Sequence, residues 1–266
     1  MTNISYWSGS QMIMTQKRKT SALKSVIYLL LVSLLGCKST EMVQNSSQET
    51  IFEASNLTTD VLLEATKDLN DLHYFNGKGR LYYRSEGESE RLSIEYEIDA
   101  EGEVYSLRNR LGIPVADIQM DADSILFIDR IQEKALQWHK DNPPLSMPGM
   151  VPPLRLYELI HYPNWLKEAV LFEQSKTQVR ATIPEIGYVY LDSDNFSLIH
   201  MNYKNEWELD VQDRKNYKNS MIGRTFQLQN NERNTQILVQ LIEFEWQTVG
   251  RIQELSIPKT YEKITL

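Results

Sequence analysis

Cys37 is the one thiol in a chain of 266 residues. A lone thiol can be alkylated or acylated, or can ligate a metal, but it cannot close a disulfide within its own chain. The other groups able to do chemistry are scattered. His73, His139, His161 and His200 lie far apart, with no His-x-x-x-His pair and no carboxylate at zinc-ligand spacing. No serine sits in a Gly-x-Ser-x-Gly elbow, and no glycine loop has the form of a phosphate cradle. Asp192-Ser193-Asp194-Asn195 offers alternating oxygens, as a calcium loop would, but lacks the glycine and distal glutamate such a loop needs and reads as a strand turn. Glu95, Glu97 and Asp99 alternate along one wet strand face, which gives no paired-carboxylate site. The residues therefore predict a protein that is not an enzyme, with no metal and no dissociable cofactor.

The surroundings of Cys37 give its chemistry a direction. Lys17, Arg18, Lys19 and Lys24 precede an apolar run, Val26 to Leu35, broken only by Ser33. This ten-residue run is half of the ~20 that a spanning helix needs, but it suits the h-region of an export signal. Polar sequence follows, Lys38-Ser39-Thr40-Glu41 and then Gln44 to Glu49. Leu34-Leu35-Gly36-Cys37 resembles the lipobox of bacterial lipoproteins, although Leu35 is bulkier than the usual residue there. The resemblance implies a diacylglyceryl group on the Cys37 sulfur, cleavage before it and acylation of the new N-terminus. Two or three chains at ~0.8 kcal/mol per buried methylene would tether the protein stably to a membrane. The competing reading is a buried thiol behind an uncleaved apolar anchor. Residues 1–13 are uncharged and precede Met14, which begins a better-formed signal and is the expected initiator.

Composition narrows the partners. The whole chain carries −8, and the four basic groups before Cys37 are the only charges there, so the remainder carries −12. So acidic a domain lacks the basic face that binding nucleic acid by phosphate neutralisation requires.

The elements that must position any site follow from periodicity. Residues 37–56 read as a flexible tether, too polar to offset the entropy of ordering them. Val61, Leu62, Ala65, Leu69 and Leu72 recur at helical spacing and predict one amphipathic helix of about four turns, over residues 60–72, capped by Thr58 or Thr59. From Phe75 the period becomes two. Phe75 to Arg84, Leu92 to Asp99, Val104 to Arg110, Val115 to Asp121, Ile125 to Asp129 and Ala135 to Lys140 predict a six-strand antiparallel meander. Six residues of Asn142–Pro153 are proline or glycine... a loop, before a short helix over 154–161 that stops ahead of Pro163. Further strands are expected at 169–174, 177–183, 188–192, 198–203, 206–211, 224–229 and 236–246. A polar stretch, 212–220, divides them, and Ser256-Ile257-Pro258 ends the regular structure.

In this order the chain resembles the LolA/LolB superfamily of lipoprotein carriers and receptors, and more narrowly a family of Bacteroidota-type lipoproteins. Tyr105-Ser106-Leu107-Arg108-Asn109-Arg110-Leu111-Gly112, then Ala116-Asp117-Ile118-Gln119-Met120-Asp121, is similar to the receptor's strand, Leu-Gly turn and strand. Ser124 to Asp129 is similar to the strand that follows, and Pro152 to Ile160 before Tyr162-Pro163 to its short second helix. Ser256 to Tyr261 resembles the ending of the narrower family.

The resemblance implies a mainly β domain over residues 57–266: a single unclosed antiparallel β-barrel, its concave face covered by an N-terminal helix and a short second helix. It implies an acyl-binding concave wall, for which Phe75, Leu81, Tyr83, Leu92, Ile94, Tyr96 and Ile98 are the candidate lining. It also implies that Leu111 projects from its turn to meet a membrane, although Arg110 stands where the family usually has proline. The alternatives are a fully packed core and a Leu111 folded back into it. The expected protein is a monomer, lipid-anchored at the outer membrane and facing the periplasm, whose partners are that membrane and acylated lipoproteins or lipids. A structural or partner-binding envelope lipoprotein is the other reading; a hydrolase of envelope polymers has almost no support.

Overall fold

The structure, a computed structural model, describes residues 50–85, 87–140, 154–230, 232, 234–247 and 250–266. The signal peptide, Met14, Cys37, most of the tether and the proline loop at 142–153 lie outside these residues.

Among the described residues fifteen strands form one sheet. The first meander is β2 (Tyr74–Ser85), β3 (Glu88–Asp99), β4 (Gly102–Arg108), β5 (Pro114–Asp121), β6 (Ser124–Asp129) and β7 (Lys134–His139). The second is β8 (Leu171–Gln174), β9 (Gln178–Ile183), β10 (Gly187–Asp192), β11 (Leu198–Tyr203), β12 (Trp207–Tyr217), β13 (Ser220–Asn230) and β14 (Thr235–Gln247). The last strand of the second meander, β14, pairs antiparallel with the first of the other, β2, and so joins the two meanders at the middle of the sheet. β1 (Glu53–Ala54) borders β8, and β15 (Glu262–Thr265) borders β7. The two edges do not pair, so this curled sheet is an unclosed barrel.

This topology dictates the cover. The chain leaves β7 near one edge and must reach β8 near the other; likewise it leaves β1 at an edge and must reach β2 at the centre. An antiparallel sheet with one apolar face has to bury that face, and the two connections do so. The first holds α1 (Thr59–Ala65) and a 3-10 turn, Lys67–Asp71; the second holds α2 (Leu156–Ile160) and a 3-10 turn, Tyr162–Glu168. Leu62, Leu69 and Leu72 from the first, and Leu156, Leu159 and Leu166 from the second, share a single buried cluster with side chains of both meanders.

Several elements depart from the sequence expectation. The four-turn helix is two pieces: the backbone leaves the helix at Thr66 (φ −109°, ψ 10°), whose hydroxyl donates to the Leu62 carbonyl at 2.7 Å. Val61, expected on the apolar face, is exposed. The polar stretch 212–220 is no break: β12 and β13 continue through it as a hairpin, in register from Glu208↔Gln229 to Tyr217↔Ser220. Regular structure resumes after Pro258, since Glu262–Thr265 pairs with Lys134–Gln137, and this pairing is parallel within an otherwise antiparallel sheet. Part of the expected tether is a strand, Glu53–Ala54, paired with Gln174 and Glu173. The segment before β15 crosses the convex face, where Ile252, Gln253 and Leu255 donate backbone N–H groups to Asp99, Glu97 and Gln119.

Candidate apolar groove

The concave wall is built by strict alternation. Across β2 and β3, Phe75 faces Ile98, Gly77 faces Tyr96, Gly79 faces Ile94 and Leu81 faces Leu92. Opposed residues share a face, and β4 continues the rows, with Tyr105 beside Tyr96 and Leu107 beside Ile94. The glycines admit a close approach. A Cβ on Gly77 would lie 2.0 Å from the Glu243 carbonyl oxygen and 2.8 Å from the Tyr96 hydroxyl. The ladder between β14 and β2 shifts register between Leu241 and Glu243, and there the Tyr96 hydroxyl donates to the Glu243 carbonyl at 2.7 Å. Small residues facing a bulge let the sheet bend sharply.

Of the seven residues expected to line a groove, Phe75, Ile94, Tyr96 and Ile98 are buried, while Leu81, Tyr83 and Leu92 are half-buried against the same cluster. Phe75 stacks between Tyr157 of α2 and Phe244 of β14, at ring-centroid distances of 6.4 and 5.3 Å. Two of the seven, Leu81 and Ile94, border an apolar cavity. Its floor is otherwise Tyr105, Leu107, Ile118 and Met120 on one meander and Phe226, Leu228, Ile237 and Val239 on the other; Leu154, Leu156 and Leu159 close it from above. Only Tyr105 brings a polar atom, and its hydroxyl donates to Glu103 at 2.7 Å.

The cavity measures about 60 Å³. A water molecule's share of the liquid is ~30 Å³, and a dry cavity that accepts benzene is ~150 Å³. In this state the space is too small for an acyl chain, and the second connection would have to move to enlarge it.

That connection is held by a buried carboxylate. Glu103 lies on the inward row of β4, opposite Ile98, and is fully buried. It accepts the Tyr157 backbone N–H at 2.6 Å, from the first turn of α2, and the Tyr105 hydroxyl. Burial raises its pKa from 4.5 to about 7, against the opposing pull of these hydrogen bonds and of Arg155. The Glu158 carboxylate in turn accepts the Arg155 backbone N–H at 3.1 Å. His161, just past α2, stacks on Tyr157 at 3.9 Å, and its Nδ1 lies 3.0 Å from the Tyr157 carbonyl, to which a neutral ring donates. Burial holds the His161 pKa below its ordinary value. Of these residues the sequence alone singles out only His161, as one of four scattered histidines. The one signal was an acid, Glu103, at an inward position of an alternating strand.

Leu111 stands at the tip of the turn between β4 and β5, 83% exposed, with Ile113 at 53%. Asn109 builds the turn: its side-chain oxygen accepts the N–H groups of Leu111 (2.9 Å) and Ile113 (3.1 Å), while Gly112 takes φ +78°. The remaining candidates have structural partners. Asp192 accepts the backbone N–H groups of Asp194 and Asn195, closing its turn, and His200 lies between Asp210 and Asn202, each at 2.9 Å. Among the described residues no cluster of His, Cys, Asp and Glu has the form of a metal site. No helix among them is long and apolar enough to cross a membrane.

No protein-family model matches the chain, and no curated protein matches it in sequence. Among solved structures it is similar to a LolA superfamily protein from Nitrosomonas europaea, at 8% identity over 73% of this chain and 96% of that one, with a TM-score of 0.49. A domain named for outer membrane lipoprotein sorting, from Vibrio parahaemolyticus, gives 8% identity, 73% and 95% coverage and a TM-score of 0.47. A DUF1329 family protein from Desulfovibrio piger gives 5% identity, 71% and 91% coverage and a TM-score of 0.48. At these scores the likeness is one of outline, and no residue's role follows from it.

Proposed function

We propose that this chain is a cell-envelope lipoprotein that receives acylated ligands, lipids or lipoproteins, in the groove between its sheet and α2. The observation that carries this reading is the apolar cavity closed by Leu154, Leu156 and Leu159. Its roof is held to the sheet by the Glu103–Tyr157 hydrogen bond and by the buried Leu156, Leu159 and Leu166, and an entering chain would have to lift it, a motion that leaves the sheet paired. A chain entering would be driven by ~25 cal/mol per Å² of apolar area removed from water, with no covalent step and no ATP. Cys37 carries the lipid anchor at the outer membrane, on the periplasmic side, as expected of a Bacteroidota-type member of the LolA/LolB superfamily, and Leu111 meets the bilayer during transfer. A second reading, a partner-binding lipoprotein with a packed core, is favoured by the small cavity volume.

The two readings separate on a titration of the full chain with a fluorescent fatty acid, alongside extraction of lipid carried through purification. Groove binding predicts saturable, one-to-one uptake that Leu228→Glu abolishes, since the new carboxylate faces the cavity. A packed core predicts no carried lipid and no saturation in the parent protein.

A further inference from the structure

The convex face beside the Leu111 turn carries an unneutralised arginine cleft. Arg80 of β2 lies opposite Ser93 of β3, which lies opposite Arg108 of β4; in the next row Tyr82 lies opposite Arg91. These positions alternate with the buried ones and so point away from the groove. Arg80, Arg91 and Arg110, with Tyr82, Ser93 and Gln240, line an open cleft of about 570 Å³. All three arginines are exposed. Arg91 lies over the Tyr82 ring at 5.4 Å, and Arg108 donates to the Gly112 carbonyl (3.4 Å), which joins the cleft to the apolar turn.

None of Arg80, Arg91 and Arg110 has a carboxylate partner among the described residues. The acids one row further on, Glu95 and Glu243, both lie opposite Lys78, and Glu243 is paired with it at 3.9 Å. Glu88 and Glu90 of β3 alternate to the other face, and Asp210, three strands away, holds His200. In a chain of net charge −8, three guanidinium groups gathered without an acid are a local reversal of sign. Guanidinium is always charged and fits phosphate with two parallel hydrogen bonds. The neighbouring tip, Leu111 and Ile113, is exposed and apolar. Cation beside apolar tip is the complement of a lipid interface, where phosphates lie above acyl chains. The β15 approach segment covers the convex face further along β3 to β5 and leaves this end open.

We propose that the cleft lined by Arg80, Arg91 and Arg110 docks the domain on an anionic lipid surface, its guanidinium groups on lipid phosphates while Leu111 and Ile113 enter the interface. The inference rests on the membrane role given to Leu111 above and is independent of whether the groove takes acyl chains.

The test is hydrogen exchange of the turn amides, residues 109–113, in the full chain mixed with vesicles of phosphatidylcholine alone or of equal phosphatidylcholine and phosphatidylglycerol. The expected result is slower exchange with the anionic vesicles at a lower lipid concentration than with neutral ones, weakened by salt. R80Q/R91Q/R110Q should raise the half-protecting anionic lipid concentration on the order of a hundredfold, at roughly fivefold per arginine, while R80K/R91K/R110K keeps most of the protection. Thermal unfolding checks that both variants fold. Equal protection by both vesicle types, or an unaltered glutamine variant, overturns the arginine site and leaves the Leu111 reading standing. No protection by either overturns both. Protection by millimolar inorganic phosphate without vesicles identifies a free-anion site and overturns the membrane assignment.

Discussion

The Glu103 carboxylate accepts the Tyr157 backbone N–H at 2.6 Å, tying the middle of the sheet to the first turn of the connection that roofs the groove. Its pKa of about 7, raised from 4.5 by burial, makes the tie depend on pH. The folded state holds the proton more tightly than the unfolded state, so this group's contribution is most favourable below pH 4.5 and is lost as pH rises through the window from 4.5 to about 7. At ~1.4 kcal/mol per unit, the loss is on the order of 3 kcal/mol. The parent should therefore unfold in less denaturant at pH 8 than the remaining groups dictate. Glu103→Gln, whose amide can still accept from Tyr157, should flatten that part of the profile. An unchanged slope between pH 5 and 7.5 would assign the pH dependence elsewhere.

Leu111→Glu should leave stability within ~0.5 kcal/mol of the parent, because an exposed tip loses no core contact. Passage of bound lipid into acceptor vesicles should nevertheless slow. A drop in the unfolding midpoint of more than a few degrees would mean that the turn packs in solution.

Gly77→Ala brings a methyl group within 2.0 Å of the Glu243 carbonyl oxygen, a backbone atom that cannot swing aside. The cost expected is about 1–3 kcal/mol, as for overpacking a core. At roughly 3 °C per kcal/mol for a domain of this size, thermal unfolding resolves it. A midpoint equal to the parent's would show that the bulge at Leu241 and Glu243 relaxes freely.

Cys37→Ser should take up no labelled fatty acid and should keep its leader, since both acylation and processing go through the thiol. Equal labelling of variant and parent would end the lipoprotein reading.

Period-two alternation made both meanders legible, because each strand has one buried and one wet face: Leu92, Ile94, Tyr96 and Ile98 declare theirs at once. It could not reveal which strands meet. Nothing local in Gln236–Trp246 says that it pairs with Phe75–Arg84, and the adjacency of Arg80, Arg91 and Arg110 appears only once register is known. The short α2 was visible from Leu156, Leu159 and Ile160, but its fastening was not, because Glu103 lies 54 residues from Tyr157. The 212–220 hairpin was missed for a related reason. Polar, exposed Asp213, Lys215 and Asn216 dominate the stretch, and near its turn only Tyr217 and Ile222 reach the core as apolar residues.

The seam between β2 and β14 also sets an order of events. Ser85 and Thr235 share a hydroxyl hydrogen bond at 3.0 Å across 150 residues of sequence. Until β14 has been made, β2 has a bare edge, and neither meander has the other half of its wall. Closing so long a loop is entropically costly, and contacts of this separation slow folding. The nascent chain is therefore committed late: its early strands stay open templates for mispairing with other chains, and the groove comes into being only when nearly the whole domain is present.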